Sequence, residues 1–214
     1  EGLTLVAADH AALGHEFNLA MATTGAELVL IAAVGVVIPD SILTALGCLA
    51  DESIGLGVPR IEGPDRDPTL GLVEVRDLRL ARCPADEIDE KLGNCSFPEP
   101  EAFVVVRSAF QIIGTFDEDL HGPTVLTDYS LRLQAASYRL RALTDCVVQV
   151  PADFDLVTDA SVVRDRMIVI ARHRHQDLSA ALTRNEAMWN CSAVESQSLL
   201  RSLLMHLPGA THEA

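Results

Sequence analysis

Phe103-Val-Val-Val-Arg107-Ser-Ala-Phe110-Gln-Ile-Ile-Gly114-Thr-Phe116-Asp117-Glu118-Asp119-Leu120, followed after a short gap by Asp128-Tyr-Ser130-Leu131-Arg132-Leu133-Gln-Ala-Ala-Ser-Tyr138-Arg139-Leu140, is the stretch that decides the fold. Ala102 to Val106 is an apolar, β-branched run and reads as a strand. Ser108 caps a short helix over Ala109 to Ile113, which Gly114 stops. A second helix runs from Thr127 or Asp128 to Ser137, with Leu131, Leu133, Ala135 and Ala136 set between polar positions. Tyr138 to Val150 then returns as strand through Leu140, Leu143, Val147 and Val148.

Upstream, Leu3 to Ala8 predicts a short buried strand, and Ala11 to Thr24 a helix carrying Leu13, Phe17, Ala20 and Met21 and stopped by Gly25. Leu28 to Ile38 is continuously apolar and predicts a central strand buried on both faces. Pro39-Asp40-Ser41 turns and caps a helix over Ile42 to Ala50, and Ile54 to Val58 follows as strand. Pro59 to Pro68 reads as loop, Leu70 to Leu80 as a strand or hairpin arm, and Arg82 to Pro100 as an exposed, proline-rich excursion. This alternation predicts an α/β domain with a mainly parallel sheet over residues 1–150. Beyond Pro151, Asp159 caps an amphipathic helix, and helical pattern resumes over Leu178–Asn190 and Glu195–Leu207, so residues 151–214 read as a helical C-terminal extension.

The chain has 214 residues, 49% of them hydrophobic, and a formal net charge of −15. That apolar content offsets the ordering entropy and excludes intrinsic disorder. The acidic balance argues against nucleic acid or an anionic membrane as partner, since both reward clustered Lys and Arg. Lys91 is the sole lysine, and Arg supplies the other cations. No basic segment followed by an apolar stretch opens the chain, and its first residue, Glu1, reads as the start of a processed or excised piece. Leu28 to Ile38, the longest apolar run, falls well short of the ~20 residues of a membrane-spanning helix. Cys48, Cys83, Cys95, Cys146 and Cys191 lack the paired spacing of a structural zinc site. Cys48 and Cys146 read as small core residues, and Cys83 and Cys95 could pair in an oxidising compartment. Reduced thiols in the cytoplasm are the expectation.

Over Phe103 to Leu140 the chain resembles the acceptor-side half of inverting family 2 glycosyltransferases of the GT-A type. In those enzymes a strand ends in an Arg, a short helix leads to Gly-x-Phe-Asp-Glu-x-Leu, and a carboxylate-rich turn opens a helix of the Ser-Leu-Arg-Leu kind. Gly14 to Gly25, with Asn18, is similar to the family's Ala-Arg-Asn-x-Gly helix, and Leu28 to Ile38 to its central strand before a Pro-x-x-x-Leu helix, here Pro39 to Leu43. The resemblance spans roughly residues 3–150 and implies a GT-A-like (Rossmann-like) fold, a nucleotide-sugar donor and a glycan acceptor.

Three departures follow within the resemblance. The family's Asp-x-Asp, which holds Mg²⁺ or Mn²⁺ on the donor diphosphate, falls on Ala33 and Gly35, neither of which offers the oxygen a hard cation requires. The Glu-Asp pair that supplies the general base falls on Val125 and Leu126, and a His that often follows the next strand falls on Gln149 or Val150. The two nucleotide-binding βα units that precede the first strand in the family have no counterpart, so a missing N-terminal half or an active homologue is an implied partner.

Five acidic or basic positions carry the remaining functional expectation. Asp117, Glu118 and Asp119 line an acceptor pocket and bind sugar hydroxyls, or form a solvated loop with Asp117 capping a turn. Arg132 pairs with one of those carboxylates. Asp128 is either a displaced general base or an N-cap for Ser130 or Leu131. Arg172-His173-Arg174-His175 reads as a solvated helix end, and Trp189, Met188, Leu199, Leu200, Leu203 and Leu204 as helix packing. No cofactor or metal is expected from these residues. The functional expectation is a catalytically impaired glycosyltransferase-like domain in polysaccharide or glycoconjugate assembly. The alternatives are an active, metal-independent glycosyltransferase using Asp128, and a protein-interaction domain retaining only the fold.

Overall fold

The computed structural model describes residues 13–64, 66–76, 79–85, 96–151, 165, 168, 169, 172 and 173. Helix α1 (Leu13–Thr23) buries Leu13, Phe17 and Met21, one per turn, as a single apolar stripe. Strand β1 (Leu28–Ala32) follows, then a single-turn helix α2 (Ile42–Ala45) that tightens into a 3-10 turn over Leu46–Ala50. A meander of β2 (Ile54–Gly63), β3 (Arg66–Arg76) and β4 (Arg79–Pro84) comes next, then the short β5 (Ser96–Pro98) and β6 (Ala102–Val106). Helices α3 (Arg107–Ile113) and α4 (Thr124–Ala135) and strand β7 (Arg139–Gln149) complete the described fold.

The seven strands form one sheet with β2 as its spine. Strands β6 and β3 pair antiparallel with β2, at Leu56–Gly57 and Ile61–Gly63 respectively, while β7 runs parallel to it from Ile54 to Glu62. Because β7 and β3 both meet Ile61, β7 occupies the opposite edge of β2. Strand β1 pairs with β6, antiparallel, from Leu28↔Val106 to Ala32↔Ala102. Every residue of β6 is buried, so Phe103, Val104 and Val105 are core on both faces, each stabilising the fold by about 1.5–3 kcal/mol relative to exposure. Phe17 meets Phe103 and Phe116 edge-on (ring centroids 5.1 and 5.2 Å), and Phe116 stacks on Tyr129 of α4 at 4.1 Å. That aromatic column ties α1, β6, the loop after α3 and α4 together.

The sheet departs from the mainly parallel expectation: β2–β7 is its one parallel pairing among the described strands, and the rest are antiparallel. Parallel neighbours need a crossover of a dozen or more residues, whereas β2, β3 and β4 are joined by turns of a few residues. Pro59 to Pro68, expected as loop, is the end of β2 and the start of β3. Pro59 sits where the β2–β7 register shifts and Pro68 just before the β3–β4 irregularity, the places a sheet tolerates proline. Gly71 (φ +70°) adopts a conformation that favours glycine, and a Cβ there would collide with the Pro59 carbonyl oxygen. Its own carbonyl accepts the Glu99 N–H at 2.8 Å, which lays the end of β5 across β3.

Other expectations shift more locally. The apolar run from Leu28 is strand only to Ala32 and is half-buried; a turn closed by the Val36 N–H on the Ala33 carbonyl leaves Val34 77% exposed, and Val37 then bridges to Gln149 of β7. Of the excursion Arg82 to Pro100, Arg82–Pro84 and Ser96–Pro98 are strand, with Ser96 and Phe97 buried. Ser108 lies inside α3 rather than capping it, and α4 begins at Thr124, four residues before Asp128. Cys146 is buried, as expected, whereas Cys48 is exposed; Cys83 is buried, and its candidate partner Cys95 lies outside the described residues. The same holds for the Leu3–Ala8 strand, Asp159, Cys191, Trp189 and the helices over 178–190 and 195–207. No helix among the described residues is long and apolar enough to cross a membrane.

Candidate functional site

The loop 114–120 leaves α3 at Gly114 and is pinned against α1 by close approach and by hydrogen bonding. A Cβ on Gly14 would overlap the Asp117 carbonyl, so only glycine allows the helix this close. One turn on, the Asn18 amide donates to the Phe116 carbonyl (2.9 Å) and to Glu118 Oε1 (2.8 Å), and its oxygen accepts the Phe116 N–H (2.9 Å). His15 Nδ1 lies 3.2 Å from Glu118 Oε2. The bonds from Asn18 and then His15 hold the Glu118 carboxyl below the usual glutamate range. At the other end of α1, Arg107, the first residue of α3, donates to the carbonyls of Met21, Thr24 and Ala26, satisfying acceptors at and just beyond the helix C-terminus.

Asp128 lies in the second turn of α4, wholly buried, and is therefore not an N-cap. Its Oδ2 accepts from Arg132 Nε at 2.8 Å, an i,i+4 pair on one helix face. Its Oδ1 accepts from the Arg172 guanidinium and faces His173 Nε2, both at 2.9 Å. Arg172 also donates to Asp117 Oδ2 at 2.8 Å and so joins the loop to α4. Burial raises the Asp128 pKa, but the His173 hydrogen bond and the charges of Arg132 and Arg172 outweigh it, leaving the carboxyl below the usual aspartate range. Arg132 thus pairs with Asp128 rather than with the acidic loop, and its guanidinium sits 5.2 Å from the Tyr129 ring centroid.

Arg172 and His173, read from sequence as a solvated helix end, instead close this cluster. They are helical, as are Asp165, Ile168 and Val169, and Val169 is buried in the core. Asp165, also buried, accepts from the backbone N–H and Nδ1 of His121, just ahead of α4, the latter at 2.8 Å. The apolar positions expected for a helix beyond Asp159 were the only signal that this segment packs; nothing local marked Arg172, His173 or Asp165 as partners of α4.

The result is a shallow depression of about 440 Å³ lined by Thr115, Phe116, Asp117, Glu118, Arg132 and Arg172. Asp117, Glu118 and Arg132 are brought together there, and Asp128 reaches it through Arg172. Asp119 is exposed outside the lining, its N–H donating to Asp117 Oδ1. With carboxylates and guanidiniums side by side, the depression suits a ligand that both donates and accepts hydrogen bonds, as polyols do.

The resemblance puts the family's metal ligands at Ala33 and Gly35, whose side chains offer no oxygen donor. Ala33 has no ligating side-chain atom and its carbonyl accepts the Val36 N–H, and Gly35 (φ +89°) would place a Cβ 3.4 Å from Pro151 in a backbone conformation that strains side chains. No group of three or more His, Cys, Asp or Glu among the described residues is arranged to hold a metal.

No protein-family model matches the sequence, and no curated protein matches it. Among solved structures the fold is similar to that of GalNAc-T7, whose crystal structure contains UDP, GalNAc and Mn²⁺: TM-score 0.56, 12% identity, over 90% of this chain and 42% of that one. A mannosyltransferase from Pyrobaculum calidifontis, solved with GDP-Man and Mn²⁺, aligns at TM-score 0.44 and 16% identity over 91% of this chain and 55% of its own. The chain spans about half or less of the length of each of these enzymes. The chain therefore has a GT-A-like glycosyltransferase fold.

Proposed function

We infer that the chain is a family 2-like glycosyltransferase domain acting in polysaccharide or glycoconjugate assembly, that it binds sugar in the Asp117–Glu118–Arg132–Arg172 depression, and that it is catalytically impaired. The observation that carries this reading is the state of Asp128. A general base must be free to take a proton from the acceptor hydroxyl, and both Asp128 oxygens are committed to cationic or His partners in a buried cluster. A carboxylate held below its usual pKa is also a weak proton acceptor. The absence of ligating side chains at Ala33 and Gly35 supports the same conclusion.

Arg172 favours the second reading, an active and metal-independent enzyme: it is 43% exposed and shared with Asp117, so an acceptor displacing it would leave Asp128 Oδ1 with His173 as its one remaining partner among the described residues. Titration calorimetry with oligosaccharides and nucleotide sugars, alongside mass-spectrometric detection of transfer, separates the readings. Sugar binding weakened roughly tenfold by Glu118→Gln, with no transfer, is expected. Transfer that Asp128→Asn abolishes establishes the active enzyme instead. No sugar or nucleotide-sugar binding at all leaves a protein-interaction domain.

A further inference from the structure

The balance of charge differs between the two cavities of the molecule. The larger, of about 960 Å³, lies on the β2–β3–β4 meander, and its lining includes Arg60, Arg66, Asp67 and Arg82. Its guanidiniums are already matched. Arg66 donates to the buried Glu99 (2.6 Å) and Glu101 (2.7 Å), Arg82 lies 2.9 Å from Glu99, and Arg60 meets Glu62 at 3.8 Å. The Asp117–Arg172 depression is not balanced in this way. Arg132 is taken by Asp128, and Arg172 is divided between Asp128 and Asp117. Those two guanidiniums serve those two carboxylates. Glu118, which lines the same depression, has no arginine or lysine partner among the described residues.

Glu118 is nevertheless fixed in place. The Asn18 amide (2.8 Å) and His15 Nδ1 (3.2 Å) meet its two oxygens from α1, and Asn18 is itself locked to both backbone groups of Phe116. Neither partner brings a permanent positive charge, so they orient the carboxylate without cancelling it. They engage two of its roughly four lone-pair directions, and 51% of the side chain is open to solvent. The same bonds, Asn18 first and then His15, keep its pKa below the usual glutamate range, so it stays ionised. A carboxylate already held in one orientation pairs with an incoming cation at little ordering cost, and such charge-assisted hydrogen bonds are the strong ones. The formal charge of −15 on the whole chain favours approach of a cation over that of an anion.

We propose that the sugar taken in this depression carries a free amino group, as an unacetylated hexosamine does, and that its ammonium pairs with Glu118 while Asp117 and Arg172 meet its hydroxyls. This rests on the sugar-binding reading above and narrows it to a cationic sugar. Calorimetry on the whole chain at neutral pH compares disaccharides of glucosamine, N-acetylglucosamine and glucose in the same linkage, which differ only in bearing an amine, an amide or a hydroxyl. The glucosamine disaccharide is expected to bind roughly tenfold more tightly than either of the others, and about 1 M salt to remove most of that advantage. Glu118→Gln keeps an oxygen for Asn18 to donate to but removes the charge, so the three disaccharides then bind alike. Glu52→Gln, which removes the same charge from an exposed turn ahead of β2, leaves the preference intact. Circular dichroism verifies that both variants keep the fold. An amide or hydroxyl disaccharide that binds as tightly as the amine, a preference unmoved by salt, or one that survives in Glu118→Gln overturns the proposal and leaves sugar binding standing. No binding of any of the three overturns both.

Discussion

Asp128→Asn tests whether the buried carboxylate organises the site. The substitution keeps size and shape but removes the charge that faces Arg132 at 2.8 Å and Arg172 and His173 at 2.9 Å. Deleting one partner of a buried ion pair costs about 3–5 kcal/mol when the other stays buried. Here Arg132 and Arg172 both reach solvent and Arg172 keeps Asp117, so the cost falls below that range, to about 2–3 kcal/mol. For a chain of this length that lowers the melting temperature by about 5–10 °C at neutral pH. The sign of the pH dependence follows from the depressed pKa. A group whose folded pKa lies below its unfolded value stabilises fully above the unfolded value and loses that contribution as pH falls through the folded one. The gap between wild type and variant therefore narrows on acidification below the ordinary aspartate value of about 3.9. Scanning calorimetry at neutral pH and at about pH 3 reads both quantities. A variant melting within 1 °C of wild type at neutral pH, or a gap that persists unchanged in acid, would refute the reasoning.

Two further substitutions probe the packing around the site. Gly14→Ala forces a methyl group into the Asp117 carbonyl and should cost about 1–3 kcal/mol, with faster amide exchange over residues 115–118; unaltered exchange there would show that α1 does not pin the loop. Tyr129→Phe removes a buried hydroxyl with no partner among the described residues while retaining the ring stack on Phe116, so it should be neutral or stabilising by up to about 1 kcal/mol in urea unfolding. Because burial raises the Tyr129 pKa well above the ordinary tyrosine range, its ionisation step should appear in ultraviolet titration only with alkaline unfolding, and vanish in the same variant.

Local pattern determined much of this protein. The Phe103–Leu140 stretch folds as strand, helix, loop, helix and strand because each element is specified by neighbours a few residues away: β-branched residues in β6, Gly114 after α3, apolar spacing in α4. The Gly-x-Phe-Asp-Glu loop was legible through the family resemblance, which also set Asp117 and Glu118 near Arg132, although Arg132 pairs with Asp128. Strand direction was not, because an alternation of apolar runs is the same for parallel and antiparallel neighbours, and the prolines of Pro59–Pro68 read as punctuation until β7 and Pro59 were seen to share a register. The chemistry at the two cavities was decided only by tertiary structure. Arg172 and His173 reach Asp128 from 44 and 45 positions along the chain, and Arg66 joins Glu99 and Glu101 from 33 and 35. Sequence alone shows these as separate charges, each reasonably solvated; burial makes them partners, because a charge removed from water must find its opposite within hydrogen-bonding distance.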